Sequence, residues 1–329
     1  MKIAVIGAGG WGTTIAELLG KNRFEVSLWV HSKKTFNAIK TYKENLFYLG
    51  GVKIQYTKNV TLNLRDAVYG SDLIISALPS QKLREIISLI KPIGHEIVVN
   101  LAKGIEIGTF KRMSEIIHEL WNTPYEQIAT LSGPNFSYEI ARQMPAATVI
   151  GCISEKTSRE IQDIFMNDRF RVYYTTDITG VELGGSLKNV YAIAAGISDG
   201  LQFGDSSKAS LIIRSISELV KFGEILGGRK ETFVGLSGMG DLVATSFSKR
   251  SRNRWAGEEI GKGKTIEEVF KLTPQVLEGI YTTKAAFELK EKLNLEMPIL
   301  TSLYNIMYNK MDPKIELIKL MQRPGKSED

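Results

Sequence analysis

The chain opens with the stretch Lys2-Ile3-Ala4-Val5-Ile6-Gly7-Ala8-Gly9-Gly10-Trp11-Gly12, and its architecture is easiest to infer from there. Ile3–Ile6 is a short, continuous apolar run rich in β-branched residues, which is typical of a buried strand. Gly7 ends this run after four apolar residues, which is too soon for the apolar core of a signal peptide. The following segment, Thr13–Leu19, has helical spacing. We therefore expect a strand, a glycine-rich turn and a helix.

The glycines of this turn form a G-x-G-x-x-G pattern, in which each glycine has a separate purpose. Gly7 permits a tight turn, Gly9 lets a pyrophosphate approach the backbone, and Gly12 lets the helix pack closely on the strand. The pyrophosphate then lies at the helix N-terminus, where unpaired N–H groups favour negative charge. Between a strand and a helix, this pattern predicts a dinucleotide-binding domain. A purely structural glycine turn is the alternative.

The end of the second predicted strand bears on the choice of cofactor. In this fold an acidic residue about 20 residues beyond the glycine loop usually binds the ribose hydroxyls of NAD. Here Val26–Val30 is followed by His31-Ser32-Lys33-Lys34, which contains no acidic residue. A cationic end tolerates a 2′-phosphate, so NADPH is favoured or at least accepted. The alternative is a solvated helix N-terminus with incidental lysines.

Short β-like runs alternate with helical patterns through the first half of the chain. The predicted strands are Ile3–Ile6, Val26–Val30, Leu73–Ala77, Ile97–Asn100, Ile128–Leu131 and Thr148–Ile150. The predicted helices are Thr13–Leu19, Lys33–Lys40, Gln81–Ile90 and Phe110–Leu120. This alternation indicates a parallel sheet that is covered by helices on both faces.

After about residue 180 the strand-like runs end and helical patterns take over. They are Leu187–Gly196, Lys208–Phe222, Thr265–Leu272, Thr282–Leu293 and Ile299–Asn309. The expected fold class is therefore α/β, with a Rossmann-type, parallel-rich sheet domain followed by an all-α domain. We expect the dinucleotide-binding domain to span residues 1–181 and the helical substrate-binding domain to span residues 182–329.

The composition is that of a globular protein, since 43% of the 329 residues are hydrophobic and 24% are charged. One cysteine and three histidines exclude a disulfide framework and a Cys- or His-rich metal centre, so no metal is expected. The chain has no apolar run close to the about 18 residues that cross a bilayer, and a cytoplasmic location is expected. The net charge of +6 suits an anionic partner, either nucleic acid or a small phosphorylated ligand.

Two segments follow predicted strands at the edge where open α/β sheets bind ligands. Lys103, in Asn100-Leu101-Ala102-Lys103-Gly104, would point into the crevice there. The segment Gly133-Pro134-Asn135-Phe136-Ser137 could press its backbone amides against a cofactor. A solvent-exposed lysine and a plain loop are the alternatives.

The helical half offers three further candidate segments. Lys188 lies within an apolar helix, and burial lowers the pKa of a lysine towards values that suit a general base. A glycine-rich connection, residues 235–242, ends in the carboxylate of Asp241, and Ser251-Arg252-Asn253-Arg254 supplies a guanidinium that can bind phosphate. The alternatives are a lysine whose charge reaches solvent, a helix cap and a solvated basic face.

Taken together and in order, these motifs resemble the NAD(P)-dependent glycerol-3-phosphate dehydrogenases of the bacterial biosynthetic type. The resemblance runs nearly end to end. It is carried by GAGGWGT at 7–13, NLAKGIE at 100–106, GPNFS at 133–137, LKNVYAIAAGI at 187–197, GLSGMGDL at 235–242, SRNR at 251–254 and VLEG at 276–279. Asn135 and Ser137 depart from the family's usual Ser and Ala, and Ser206 stands where an Asn is common.

The resemblance implies a role for each matching residue. Lys188 would be the proton acceptor, and Lys103 and Asp241 would act beside it in the catalytic group. The implied substrate-binding residues are Lys103, Gly133, Asn135, Lys188, Asp241, Ser251, Arg252 and Asn253. The implied cofactor-binding residues are Gly7, Gly9, Gly10, Trp11, Gly12, His31, Lys103, Ser137, Arg252, Val276 and Glu278.

The reaction implied is the reversible NAD(P)H-dependent reduction of dihydroxyacetone phosphate to sn-glycerol 3-phosphate, which supplies the glycerophospholipid backbone. NADP(H), NAD(H) or both would serve as cofactor, without a metal. A related dehydrogenase of the 6-phosphogluconate or hydroxyacid type remains the alternative, with a nucleic-acid-binding dinucleotide sensor as a second. We expect a small-molecule substrate, no nucleic-acid partner, no transmembrane segment and, by base rate alone, a homodimer.

Overall fold

The structure, a computed structural model, describes residues 1–92, 94–325 and 327. Within these residues the first half of the chain forms one sheet of eight strands. The strands are β1 (Lys2–Ile6), β2 (Glu25–Trp29), β3 (Asn59–Thr61), β4 (Leu73–Ser76), β5 (Ile97–Asn100), β6 (Ile128–Ser132), β7 (Ala146–Gly151) and β8 (Phe170–Thr175). The predicted strands lie within one or two residues of observed ones, whereas β3 and β8 were not predicted.

The sheet has the strand order β3-β2-β1-β4-β5-β6-β7-β8. Strand β1 lies between β2 and β4, with Ile3 opposite Val26 on one side and Leu73 on the other. Neighbouring strands are parallel except β6 and β7, which are antiparallel. The prediction of a parallel-rich sheet is therefore confirmed, although a wholly parallel sheet is wrong at this pair. The carboxyl ends of β1, β4, β5 and β6 meet at one edge.

Helices cover both faces of the sheet because successive residues of a strand point to opposite faces. The helices of this half are α1 (Gly10–Lys21), α2 (Lys33–Tyr42), α3 (Leu64–Val68), α4 (Leu83–Ile87), α5 (Met113–Trp121), α6 (Ser137–Ala141) and α7 (Glu155–Phe165). Ile3 and Val5 belong to an apolar cluster that includes residues of α1, α2 and α7, while Ala4 and Ile6 belong to one that includes residues of α3, α4 and α5.

The second half is helical and is built around one long buried helix, α8 (Ile178–Gly200). The helices that follow are α9 (Asp205–Ile225), α10 (Lys230–Phe233), α11 (Asp241–Phe247), α12 (Arg252–Gly261), α13 (Ile266–Leu272), α14 (Glu278–Lys292), α15 (Pro298–Tyr308) and α16 (Pro313–Met321). Lys326, Glu328 and Asp329, at the end of the predicted helical domain, lie outside the described residues.

Helices α8 and α12 pack with their backbones in contact. A Cβ atom added at Gly196 would lie 1.9 Å from the carbonyl oxygen of Arg254, and one added at Gly257 would lie 2.0 Å from that of Ile193. A larger side chain at either glycine would push the helices apart. This close approach fixes the position of α12 against α8.

Several predicted elements differ from the structure. The helix predicted over Leu187–Gly196 is only the middle part of α8, which begins nine residues earlier at Ile178. The helix predicted over Gln81–Ile90 is a 3₁₀ turn at Ser80–Lys82 followed by the short helix α4. Phe110 has a φ of 60°, a left-handed conformation that cannot start a helix, so α5 begins at Met113 instead. The glycine-rich connection is a π-helical turn, Leu236–Gly240, that runs directly into α11.

Candidate active site

The glycine loop between β1 and α1 has the geometry of a phosphate-binding turn. Gly7 has a φ of 112°, and a Cβ there would lie 2.7 Å from the carbonyl oxygen of Ala77. A Cβ at Gly12 would lie 2.0 Å from the carbonyl oxygen of Gly7, so helix and strand are in close contact. A Cβ at Gly9 would meet no atom within 4 Å. Gly9 is therefore the glycine whose backbone faces open space, as the approach of a pyrophosphate requires.

The N-terminus of α1 lies against the start of α6. A Cβ at Gly10 would lie 3.1 Å from Oγ of Ser137, and Oγ1 of Thr14 donates a hydrogen bond of 3.1 Å to the carbonyl oxygen of Ser137. The first turn of α1 carries no acidic residue, which leaves its positive end available to an anion. Trp11 is half-buried and packs against the apolar core of the sheet half.

The end of β2 is basic in the structure, as it is in the sequence. His31 is exposed and lies edge-on to Trp29, with 5.7 Å between the ring centroids. Ser32 accepts a hydrogen bond from the backbone N–H of Thr35 and so caps α2, whose first turn contains no acidic residue. Lys33 is exposed beside it. This end of the sheet therefore presents cations where an NAD-specific fold presents a carboxylate.

Two lysines and one carboxylate meet where the sheet half and the helical half join. Nζ of Lys103, beyond the end of β5, lies 2.5 Å from Oδ2 of Asp241 and also donates a hydrogen bond of 3.1 Å to the carbonyl oxygen of Gly133. Nζ of Lys188, on α8, lies 2.9 Å from Oδ1 of Asp241. Both oxygens of Asp241 are thus bound to ammonium groups.

The surroundings of this cluster shift the pKa values of its members. Burial of Lys188, reinforced by the charges of Lys103 and Arg252, lowers the pKa of its ammonium group to about 8, although the charge of Asp241 opposes this shift. Burial acts to raise the pKa of Asp241, but the two lysines outweigh it and hold that pKa below its usual value. Lys188 can therefore exchange a proton near neutral pH while Asp241 stays ionised.

Asn135 lies beside this cluster but directs its amide into the protein. Its Nδ2 donates a hydrogen bond of 2.9 Å to the carbonyl oxygen of Ala147, and its Oδ1 accepts one of 2.8 Å from Thr148. Gly133, two residues earlier, has a φ of 149°. The side chain of Asn135 therefore fixes the turn after β6, and the carbonyl of Gly133 is what reaches Lys103.

The arginines at the start of α12 face different surroundings. Arg254 is bound by Asp199, at 2.6 Å, and by Glu258, at 3.2 Å. The guanidinium of Arg252 is exposed and makes no hydrogen bond or ion pair with any residue that the structure describes. Of the two, only Arg252 is free to bind an anion.

Ser251 and Asn253 are occupied by contacts within the protein. Oγ of Ser251 accepts a hydrogen bond of 3.1 Å from the backbone N–H of Arg254 and so caps α12. Nδ2 of Asn253 donates to Oδ1 of Asn189 at 2.8 Å, and its Oδ1 accepts from the backbone N–H of Gly279 at 3.0 Å. Asn253 therefore ties α12 to α8 and α14, the helices that carry Lys188 and Glu278.

Glu278 links the start of α14 to the sheet half. It accepts hydrogen bonds from Ser80, at 2.9 Å from the backbone N–H and at a short distance from Oγ. Burial of Glu278 raises the pKa of its carboxyl group, while the hydrogen bonds from Ser80 and the charge of Arg252 act to lower it. Val276 lies half-buried two residues before α14. Glu278 is thus at the join between the two halves, within reach of the charge of Arg252.

Two protein-family models match this chain. Residues 2–158 match the N-terminus of NAD-dependent glycerol-3-phosphate dehydrogenase, and residues 177–317 match its C-terminus. The chain belongs to the NAD-dependent glycerol-3-phosphate dehydrogenase family.

Relatives of the same family match the whole chain. A glycerol-3-phosphate dehydrogenase [NAD(P)+] of a Thermoanaerobacter species is 44% identical over 100% of this chain and 99% of its own length. One from Chlorobium chlorochromatii is 42% identical over the same shares. The crystal structure of the glycerol-3-phosphate dehydrogenase of Coxiella burnetii is 32% identical, covers 98% of this chain and 99% of its own, and superposes with a TM-score of 0.93.

In the structure Thr245 also belongs to the cluster of Lys188 and Asp241, although the sequence gave no reason to select it. Oγ1 of Thr245 accepts a hydrogen bond of 2.7 Å from Nζ of Lys188 and lies 3.0 Å from Oδ1 of Asp241, to which it donates. Thr245 and Asp241 lie on the same face of α11, four residues apart. Helical spacing from Asp241 was the one signal that could have found it.

Neither a metal centre nor a membrane span is visible in this dehydrogenase family member over the residues that the structure describes. No group of three or more His, Cys, Asp or Glu side chains is placed to hold a metal ion. In the same part of the chain no helix has both the length and the apolar character that crossing a bilayer requires.

Proposed function

We propose that this chain catalyses the reversible NAD(P)H-dependent reduction of dihydroxyacetone phosphate to sn-glycerol 3-phosphate. Its membership of the family and the names of its full-length relatives support an oxidoreductase that uses NAD or NADP. The observation that carries the proposal is the Lys188–Asp241–Lys103 cluster, in which the charge of Arg252 also acts on Lys188. We infer that a phosphorylated ketone binds with its reacting carbon at this cluster and its phosphate at Arg252.

Substrate binding would begin with the phosphate group. Arg252 would hold the phosphate in bidentate fashion, because its planar guanidinium matches two phosphate oxygens. Binding the remote end of the substrate in this way orients its reacting carbon towards Lys188. Lys103 would contact the substrate hydroxyl or carbonyl oxygen from the sheet side, and Gly133 would fix the position of Lys103 through its carbonyl group.

Lys188 would act as the general acid and base at the C2 oxygen. In the reduction its ammonium group gives a proton to that oxygen, and in the oxidation the neutral amine takes the proton back. Asp241 and Thr245 hold Nζ of Lys188 in place and keep it hydrogen-bonded in both protonation states. When bound, the nicotinamide supplies or accepts the hydride at C2.

The residues of the sheet half fit a dinucleotide. Gly7, Gly9 and Gly12 shape the turn, the open backbone at Gly9 leaves space for a pyrophosphate, and Gly10 and Trp11 begin the helix whose N-terminus faces it. We assign His31, Lys103, Ser137, Arg252, Val276 and Glu278 to the same cofactor site. The basic end of β2 favours or at least accepts NADPH.

Five broader features of the protein belong to the same proposal. The dinucleotide-binding domain would span residues 1–181 and the substrate-binding domain residues 182–329, a boundary in the first turn of α8, shortly after the last strand ends at Thr175. The enzyme would be a cytoplasmic homodimer, would not bind nucleic acid, and would supply the backbone of glycerophospholipids. The engagement of Arg254 with Asp199 supports the absence of nucleic-acid binding, because it removes one cation from the basic run.

The test is the loss of reduced-nicotinamide absorbance when dihydroxyacetone phosphate is added to the purified protein, with NADPH and NADH in parallel. Rapid loss supports the proposal, and the ratio of the two rates measures the cofactor preference. Activity with a 2-keto or 2-hydroxy acid, together with a flat trace with dihydroxyacetone phosphate, would instead support the hydroxyacid-type dehydrogenase. Salt-dependent binding to DNA or RNA would contradict the proposed absence of a nucleic-acid partner.

A further inference from the structure

Tyr138 makes a contact that joins the two halves of the molecule. Tyr138 is the second residue of α6, directly after Ser137, which lies against the N-terminus of α1. The guanidinium carbon of Arg250 lies 4.0 Å from the centroid of the Tyr138 ring. Arg250 belongs to the segment between α11 and α12, two residues before Arg252. The contact therefore connects the cofactor side of the site to the segment that carries the phosphate-binding arginine.

The chemistry of this contact depends on the ring of Tyr138 and not on its hydroxyl group. A guanidinium group is attracted to the negative face of an aromatic ring when it lies within about 6 Å of the centroid. The hydroxyl group of Tyr138 makes no hydrogen bond with any residue that the structure describes, and in the same part of the chain the charge of Arg250 has no carboxylate partner. The cation–π contact is thus what holds the side chain of Arg250.

Fixing Arg250 also fixes the start of α12. The backbone N–H of Arg250 donates a hydrogen bond of 3.2 Å to Oγ of Ser248, and the N–H of Ser251 donates one of 3.1 Å to the carbonyl oxygen of the same serine. Ser251 in turn caps α12. A side chain anchored at Arg250 therefore restrains a tight turn whose next helical residue is Arg252.

We propose that Tyr138 is a positioning residue, whose ring holds Arg250 and thereby places the guanidinium of Arg252 for the phosphate of the substrate. This inference rests on the proposed function and goes beyond it, because the role assigned to Tyr138 and Arg250 is exerted through Arg252. A cation–π contact at an exposed site corresponds to an about two- to five-fold effect on an equilibrium constant. We expect a change of that size in the KM for dihydroxyacetone phosphate.

The test compares Tyr138→Leu, Tyr138→Phe, Arg250→Met and the double variant Tyr138→Leu/Arg250→Met in the full-length enzyme. Tyr138→Leu and Arg250→Met should each raise the KM for dihydroxyacetone phosphate about two- to five-fold, with a smaller change in kcat. Tyr138→Phe keeps the aromatic ring and should have the KM of the wild type. The double variant should be no worse than the worse single variant, because both remove the same contact.

Arg142→Met is the matched control. The guanidinium carbon of Arg142 lies 3.9 Å from the centroid of the same ring, but Arg142 directly follows α6 and does not reach the helical half. Its replacement should leave the KM for dihydroxyacetone phosphate at or below the wild-type value. A rise equal to that of Arg250→Met would overturn the proposal, since loss of any nearby positive charge would then suffice.

Two further outcomes would overturn the proposal. If Arg250 binds the phosphate directly, Arg250→Met raises the KM, Tyr138→Leu leaves it unchanged, and the effects in the double variant add. If Tyr138→Phe is as impaired as Tyr138→Leu, the hydroxyl group and not the ring carries the effect. The wild-type assay separates this inference from the proposed function: a flat trace with wild-type enzyme contradicts the function, whereas an active wild type with unaltered variants contradicts only the role of Tyr138.

Discussion

Nζ of Lys188 lies 2.9 Å from Oδ1 of Asp241, and both side chains are at least 90% buried, with 9% and 3% of their surface exposed. An ion pair removed from water to this extent is costly unless further hydrogen bonds satisfy its partners. Here Thr245 and Lys103 provide those hydrogen bonds. Burial destabilises the charged form of Lys188 and so lowers its pKa, which suits a group that must exchange a proton near neutral pH.

Replacing Lys188 by Met should lower kcat by about 10²- to 10⁴-fold, because the C2 oxygen loses its proton donor. The affinity for NADPH, measured by the quenching of protein fluorescence, should change little. Lys208→Met is a matched control, since Lys208 is also buried and pairs with Asp199 at 2.8 Å outside the site. That variant should lose thermal stability and keep its kcat. Wild-type turnover by Lys188→Met would remove Lys188 from the mechanism.

The rate of reduction should depend on pH through Lys188. Since the reduction needs the protonated amine, its kcat/KM should fall as the pH rises through about 8, and the kcat/KM of the oxidation should rise over the same range. Asp241 raises the pKa of Lys188 and Lys103 lowers it. Asp241→Asn should therefore move the inflection of the pH profile down by about one unit or more, and Lys103→Met should move it up. Shifts of the same sign in both variants would contradict this electrostatic account.

Replacing Arg252 by Met should raise the KM for dihydroxyacetone phosphate about 10- to 100-fold, which corresponds to the loss of charge-assisted hydrogen bonds to a phosphate. The KM for NADPH should change less. Lys249→Met is the control, because Lys249 is an exposed cation of the same basic run. If both variants raise the KM equally, the phosphate responds to the general positive charge and not to a specific guanidinium.

Alanine at two glycines of the first loop should change different properties: the affinity for the cofactor at Gly9 and the melting temperature at Gly12. Gly9→Ala places its methyl group in open space, so the melting temperature of the protein without cofactor should stay within about 1 °C of the wild type. The same methyl group obstructs a pyrophosphate, and the Kd for NADPH should rise at least about tenfold. Gly12→Ala places its methyl group 2.0 Å from the carbonyl oxygen of Gly7 and should lower the melting temperature by at least about 3 °C. Equal melting temperatures for the two variants would contradict this reading of the loop.

The buried strands could be predicted because their signal is local. β1 and β4 are buried on both faces, so their sequences are continuous apolar runs. A segment with an exposed face has no need of such a run. β8 was not predicted because it lies at the edge of the sheet and alternates buried residues with the exposed Arg171 and Tyr173. Helix α12 was not predicted either, since it packs through Ala256 and Gly257 and lacks an apolar stripe.

The candidate site was predicted mostly through the resemblance of its motifs and only partly through local pattern. Lys103 follows a predicted strand, and its position at the ligand-binding edge could be inferred from topology. The contact between Lys103 and Asp241 joins residues 138 positions apart, which no spacing rule reaches. Thr245 and Tyr138 carry no motif, and their importance is visible only from the groups around them.

By itself the sequence determined the local chemistry: a strand, a turn that only glycine can form at Gly7, and a helix whose N-terminus favours an anion. These features depend on backbone sterics and on hydrogen bonds between near neighbours, so they are written within a few residues. The resemblance of the SRNR motif pointed to Arg252, but the reason that Arg252 and not Arg254 is open to an anion lies in the tertiary structure. Asp199, more than 50 positions before Arg254 in the chain, binds Arg254 and leaves Arg252 free. Charge pairing and burial depend on which surfaces the packed helices bring together, and that is a property of the whole fold.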